Sequence, residues 1–361
     1  MRGLVIFALI TGLGWSAYGS DIFRAWQSRR HGSNIFSGNS DADLSAARSY
    51  GIKLVRLGAT GDQNDFRYLV GADGQWDLSE VNLSRLKNSV HRFGKNGFDV
   101  VLTLSHVPGR FWRSGAKDVR IFQNLQFQES FFLAWKTIAT ALLGENNIAG
   151  YDIVNEPLLP EEKGRDTSTI DYAALAQQIE GTPSDINAFY RRALSAIREV
   201  DPKTPVILEA TGTGDFSSMA VLKASGDPFA LYSFHYYEPY AYYRGKEAQG
   251  RLKYPGRIPL NGQLWNRDRH LRNLEKVETW RKANGIDAFR VFVGEFGVWP
   301  DAVGAETYLK DVTDLVNDYG WSWAHYSFRE DAFPHADLEL EGHRKARSDT
   351  PIFEILRRQF Q

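Results

Sequence analysis

Glu156 closes the apolar run Ile153-Val154 and is followed at once by Pro157; Glu295 closes Val291-Phe292-Val293-Gly294 in the same way. A carboxylate at the end of a buried strand is costly unless neighbours satisfy it. Other strand ends supply such neighbours: Arg56, Ser105-His106, Asn155, His235, Tyr237, and Trp323 or Tyr326. One glutamate alone is equally well explained as a structural ion pair with an arginine. Two on different strands, beside an arginine, an asparagine, a histidine and a tyrosine, favour a two-carboxylate site. Such a pair suits cleavage of a glycosidic bond. One carboxyl protonates the leaving oxygen while the other, ionised, attacks or stabilises the sugar cation. Their environments must push their proton affinities apart. Hydrogen bonds from Arg56 and Tyr237 are expected to hold Glu295 ionised; desolvation and the facing charge are expected to keep Glu156 partly protonated.

These residues need a scaffold that brings distant strand ends together. Short apolar runs recur at Ile52–Leu57, Phe98–Leu104, Gly150–Val154, Thr204–Ala210, Ala230–His235, Arg290–Gly294 and Trp321–Phe328, with a weaker one at Ser33–Phe36. Amphipathic helix patterns lie between them. Tyr308, Leu309, Val312, Leu315, Val316 and Tyr319 form one stripe, stopped by Gly320. Ile186, Phe189, Tyr190, Ala193, Leu194 and Ile197 form another, with Ser184 as the expected N-cap. Near-continuous apolar strands are those of a parallel sheet covered on both faces. Eight of them alternating with helices predict a single-domain (β/α)8 barrel, whose functional groups project from the C-terminal strand ends. A doubly wound open sheet is the competing fold. Its Gly-rich phosphate loop is missing, because Gly212-Thr213-Gly214 lacks the third glycine and follows the wrong strand.

The run Tyr151-Asp152-Ile153-Val154-Asn155-Glu156-Pro157 resembles the Asn-Glu-Pro motif of glycoside hydrolase family 5, the large cellulase and mannanase family. Gly294-Glu295-Phe296-Gly297 resembles that family's nucleophile motif. Val55-Arg56-Leu57 and the His-x-Tyr of His235-Tyr236-Tyr237 follow in the family's order. The resemblance implies a retaining, double-displacement hydrolase with Glu156 as acid/base and Glu295 as nucleophile. It further implies that Asn155 binds the sugar 2-hydroxyl, that Arg56 and Tyr237 orient Glu295, and that His235 lines the same subsite. No metal or organic cofactor is implied. Two places depart from the family pattern. Anchored on Pro108-Gly109, the usual third-strand histidine falls on Ser105, with His106 one position later. On the last strand Tyr326 stands where a sugar-platform Trp is usual, which leaves Trp323 as an inner barrel residue.

Composition narrows the alternatives. There are 43 Lys+Arg against 44 Asp+Glu, which gives no electrostatic reason to bind nucleic acid. The chain has no cysteine, which removes disulfides, thiolate metal sites and a cysteine nucleophile together. Aromatic residues make up 13% of the chain, enough for ligand platforms as well as a core. Tyr240, Tyr242, Tyr243, Trp265, Phe111, Trp112 and Trp299 are the candidate platforms, with loop packing expected for more than half of them. Trp135 and Trp280 sit inside helix patterns and are expected in the core. Pro160–Asp171 is expected to be a solvated loop.

Met1-Arg2, the apolar run Leu4–Trp15 and the small residues Ala17 and Gly19 have the form of a secretory signal peptide cut after Gly19. The run is shorter than the roughly 20 residues a membrane span needs. The expectation is a secreted or periplasmic, monomeric enzyme of residues 20–361 that hydrolyses β-1,4-linked glucan in a polysaccharide or oligosaccharide. Mannan, xyloglucan or an exopolysaccharide are alternative substrates. A non-catalytic carbohydrate-binding barrel and a transglycosylase are alternative functions.

Overall fold

The computed structural model describes residues 21–58, 65–110, 112–113, 116–243, 252–258, 262–330, 336–343 and 346–361. The expected signal peptide, residues 1–19, lies outside them. Eight parallel strands close into a barrel: β1 (His31–Asn34), β2 (Leu54–Leu57), β3 (Asp99–Thr103), β4 (Ile148–Asp152), β5 (Val206–Glu209), β6 (Ala230–Tyr236), β7 (Val291–Phe296) and β8 (Ser322–His325). Each pairs with its neighbours in sequence, and β1 closes the ring on β8. Every predicted run carries a strand, although β1 and β4 each begin two residues before the expected position.

An outer layer of helices covers the barrel: α1 (Asp41–Ser49), α2 (Glu80–Lys95), α3 (Leu125–Leu142), α4 (Tyr172–Ile179), α5 (Ile186–Arg198), α6 (Arg267–Ala283), α7 (Ala305–Asp318) and α8 (Pro351–Phe360). The stripes read from sequence are the buried faces of α5 and α7. The cap of α5 is Asp185 rather than Ser184. The Asp185 carboxylate accepts from the Ala188 N–H, while the Ser184 hydroxyl donates to the Phe122 carbonyl. Trp135 and Trp280 are buried, as their helix positions implied. Among the described residues no helix is long and apolar enough to cross a membrane.

The barrel interior is layered. Leu54, Val101, Ala149, Ile207, Leu231, Phe292 and Ala324, one from each of seven strands, form an apolar floor. Trp26, on a helix over residues 21–27, inserts its fully buried ring into this floor and donates its indole N–H to the Ala149 carbonyl at 3.0 Å. Side chains two residues further along a strand share the same face. Leu54 is therefore followed by Arg56, and Ile207 by Glu209, so a charged layer sits directly on the apolar one.

Strict alternation would turn Glu295 away from this layer, because Phe292 already points inward. A bulge between Val293 and Glu295 corrects the parity and sets Glu295 opposite His235. Gly294 makes the bulge feasible, since a Cβ there would lie 2.7 Å from Ser233 Oγ. A second irregularity, where β3 meets β4, has the same effect on β4. Tyr151 then faces Trp135 among the helices and Asp152 faces inward to Arg56. Removing the floor's plug should weaken the whole barrel. Trp26→Ala is expected to lose roughly 3–5 kcal/mol, as for a buried aromatic. Denaturant unfolding is the measurement, and a loss below about 1 kcal/mol would contradict the layered core.

Candidate active site

Arg56 is completely buried. Its Nε donates to Asp152 at 2.8 Å, Nη1 to Glu295 at 2.7 Å and Asn34 at 3.3 Å, and Nη2 to Glu209 at 2.9 Å and Asn155 at 2.8 Å. Every N–H of the guanidinium is thereby used. Charge–charge contact with Asp152, Glu209 and Glu295 outweighs burial and raises its pKa further. The bond from Arg56 to the Asn155 oxygen fixes the orientation of that amide.

Glu295 accepts from Arg56 through Oε1 and from the Tyr237 hydroxyl through Oε2 at 2.8 Å, so both expected contacts are present. Desolvation works differently from the expectation. The Glu295 side chain is 6% exposed and that of Glu156 is 25% exposed, so burial acts chiefly on Glu295. It pushes the Glu295 carboxyl up, against the opposing pull of His235 and Arg56. The sequence reading placed desolvation on Glu156 because the chain alone does not say which strand end opens to solvent.

His235 is buried and joins the two carboxylates. Its Nδ1 lies 3.4 Å from Glu156 Oε1 and 3.6 Å from Glu295 Oε2, and its Nε2 lies 3.4 Å from Glu209. Burial opposes a charged imidazole, yet Glu209, Glu295 and the hydrogen bonds to Glu156 and Glu209 push its pKa up to about 10. One ligand atom each from Glu156, His235 and Glu295 all lie within 4.8 Å of one another, a spacing that could hold a metal ion.

Glu156 sits one turn of chain beyond β4 with φ at 50°, the left-handed region. For a residue other than glycine this conformation costs about 1–3 kcal/mol and persists only where the surroundings enforce it. The Glu156 N–H donates to Glu209 Oε1 at 2.6 Å, and the Arg110 guanidinium donates to its carbonyl. The loops after β4 and β5 are also stitched together. The Thr213 N–H donates to the Pro157 carbonyl at 3.0 Å, and the buried Glu162 accepts from the Leu159 N–H, the Thr211 hydroxyl and the Gly212 N–H. Glu162 thus corrects the expectation of a wholly solvated Pro160–Asp171 loop.

The remaining candidates are distributed as follows. The Ser105 hydroxyl donates to the Gly58 carbonyl at 2.8 Å, and His106 is buried beside it. Tyr326 is half-buried, with its ring edge on Phe36 and close enough to Glu295 and Glu330 for both carboxylates to raise its pKa alongside burial. Trp323 does not line the cleft and is not an inner barrel residue. It stacks on His31, packs against Phe296 and Phe360, and donates to Asn317 on α7, so it lies between barrel and helices. The inward position is Ala324. Tyr242, Tyr243, Trp265 and Trp299 are buried, whereas Tyr240 is 51% exposed. Phe111 and the Trp112 side chain lie outside the described residues.

Sequence reasoning missed Glu209, Asp152, Asn34 and Arg110. Glu209 closes Val206-Ile207-Leu208 just as the two chosen glutamates close their runs, so its signal was present. Arg110 follows a turn and carried no periodic sign.

The protonation of His235 has a thermodynamic consequence. Its folded pKa lies above the ordinary 6.5, so the folded chain keeps a proton that the unfolded chain releases as pH rises. The stabilisation is complete below about pH 6.5 and is lost as pH approaches 10. The melting temperature should therefore decline between pH 7 and 10 more steeply in the native chain than in His235→Asn. Equal slopes would show that His235 is neutral in the fold.

Comparisons with known proteins agree with the barrel fold. The family model Cellulase (glycosyl hydrolase family 5) matches residues 16–332. A β-xylosidase from Phanerodontia chrysosporium is 24% identical over 335 residues, covering 88% of this chain, which spans 60% of that protein's length. Endoglucanase C from Acetivibrio thermocellus is 19% identical over 317 residues, covering 80% of this chain and 84% of the relative. Among solved structures, Cel5A from Thermotoga maritima in complex with cellobiose superposes with a TM-score of 0.67 at 19% identity, over 93% of this chain and 100% of that one. Cellulose synthase subunit Z from Clostridioides difficile gives 0.66 at 20% identity, over 91% and 99%. At these identities the structural likenesses establish the barrel. With the family model spanning most of the sequence, the chain belongs to glycosyl hydrolase family 5, the cellulase family.

Proposed function

We propose that the protein is a retaining endo-β-glycosidase that hydrolyses β-1,4-linked glucan, exported from the cell and acting as a monomer. The observation that carries the mechanism is the approach of Glu156 and Glu295, whose carboxylate oxygens come within 4.8 Å of each other. Retaining pairs stand about 5–5.5 Å apart, and inverting pairs about 6.5–9.5 Å apart to admit a water.

In the first step Glu295 attacks the anomeric carbon while Glu156 protonates the departing glycosidic oxygen, which leaves with the rest of the glycan. The product is a covalent ester between Glu295 and the sugar. In the second step Glu156 takes a proton from water, the water oxygen attacks the same carbon, and Glu295 leaves as a carboxylate. Arg56 and Tyr237 keep the attacking carboxylate aimed, and Asn155 contacts the 2-hydroxyl of the sugar. His235 forms the polar wall between the two acids. Tyr326 offers a sugar platform. The more exposed position of Glu156 suits a group that must meet both a leaving oxygen and an entering water.

Glucan is the preferred substrate because Endoglucanase C and the cellobiose complex of Cel5A point to it. Mannan is the second reading, since Cel5A has also been solved with mannotriose. A non-catalytic binding barrel is disfavoured, because a binder has little use for two facing acids.

A hydrolysis screen over glucans, mannans and xylans tests the substrate. On the true substrate Glu295→Gln should lower kcat by roughly 10⁴-fold or more, as removal of a covalent nucleophile does, with binding retained. Undiminished activity would overturn the assignment. Proton NMR of the first product should show the β anomer; an α anomer formed first would exclude double displacement.

A further inference from the structure

Glu209 lies at the end of β5, is fully buried, and makes three contacts that converge on the two glutamates. Its Oε1 accepts from the Glu156 peptide N–H at 2.6 Å. Its Oε2 accepts from Arg56, which also holds Glu295, and lies 3.4 Å from His235. The Tyr190 hydroxyl donates to the Glu209 carbonyl at 2.7 Å and anchors the strand end itself. On the other side of the same residue, Arg110 is buried, donates to the Glu156 carbonyl, and donates through Nη1 to the Ser105 carbonyl at 2.8 Å. The Glu156 backbone, in its left-handed conformation, is therefore gripped at its N–H by a side chain from the end of β5 and at its carbonyl by one from the loop after β3.

From this geometry we infer that Glu209 and Arg110 are positioning residues that clamp the Glu156 backbone and so aim its carboxyl at the leaving oxygen. The inference rests on the functional reading above and assigns the pair to one half of the chemistry, proton donation. A residue other than glycine returns to ordinary backbone angles once such a grip is released. That rotation would swing the Glu156 carboxyl away from His235 and the cleft, whereas Glu295 would keep Arg56 and Tyr237. Gln cannot replace Glu at 209. Both carboxylate oxygens accept from N–H donors, so an amide would set its NH2 against either the Glu156 N–H or the Arg56 guanidinium.

The test is the ratio of kcat/KM on a cello-oligosaccharide to that on 2,4-dinitrophenyl β-cellobioside, compared across variants. This ratio follows bond cleavage, and the dinitrophenolate departs without a proton, whereas the sugar alkoxide requires one. In Glu156→Ala, the control, the ratio should collapse by about 10²-fold or more. In Glu209→Gln and in Arg110→Gln it should fall about tenfold or more, with Arg110→Lys recovering part of the loss. A smaller folded fraction, or a displaced Glu295, lowers both substrates together and leaves the ratio unchanged. An unchanged ratio in Arg110→Gln would overturn the clamp, and this variant decides the matter if Glu209→Gln fails to fold. If the native protein cleaves neither compound, the glucan reading falls alone, and the same pair of leaving groups on the sugar found by the substrate screen decides the clamp. A collapsed ratio in Glu156→Ala, with the native ratio kept in both Glu209→Gln and Arg110→Gln, would remove the clamp alone.

Discussion

The upper half of the barrel is organised around one buried cation. Arg56 receives side chains positioned by β1, β4, β5 and β7, and three of its five partners are carboxylates. Isolated buried charges are prohibitive, so neither the arginine nor the acids could occupy this layer alone. The arrangement is mutual: Arg56 permits three carboxylates below the cleft, and they permit it. Loss of either side would leave charge stranded on an apolar floor. Arg56 is thus shared among Asp152, Glu209 and Glu295, while Glu295 is aimed by its own hydrogen bonds from Arg56 and Tyr237.

The charge balance of the site follows from this core. Asp152, Glu209, Glu295 and Glu156 share their pocket with the cations Arg56, Arg110 and a protonated His235. Burial pushes the Glu295 carboxyl up while His235 and Arg56 pull it down, so its charge state reflects opposed forces.

Much of this architecture was readable from the chain. The eight apolar runs, the α5 and α7 stripes and the buried Trp135 and Trp280 follow from periodicity, because burial on both faces or along one stripe leaves a direct mark. Glu156, Glu295, Arg56, His235 and Tyr237 converge as their strand-end positions implied. What escaped was parity and depth. The bulges in β4 and β7 reverse which side chains point inward, and no pattern of residue types announces a one-residue shift. Trp323 was assigned to the wrong side of β8, a strand that runs in unbroken register with both neighbours and turns Ala324 inward. Glu209 had the same sequence signature as its two partners, but a model of paired carboxylates gave no reason to look for a third. Burial of Glu162 depends on a neighbouring loop that sequence could not place.

The Trp26 ring shuts the barrel at the end opposite the cleft, and it belongs to the helix that opens the described chain. If an exporting peptidase cuts after Gly19, only a few residues separate the new terminus from a side chain on which the floor depends. Trimming that ran slightly further would pull the stopper from the base of the molecule without removing any residue of the cleft. With a cut at that place, the margin for imprecise processing would be narrow.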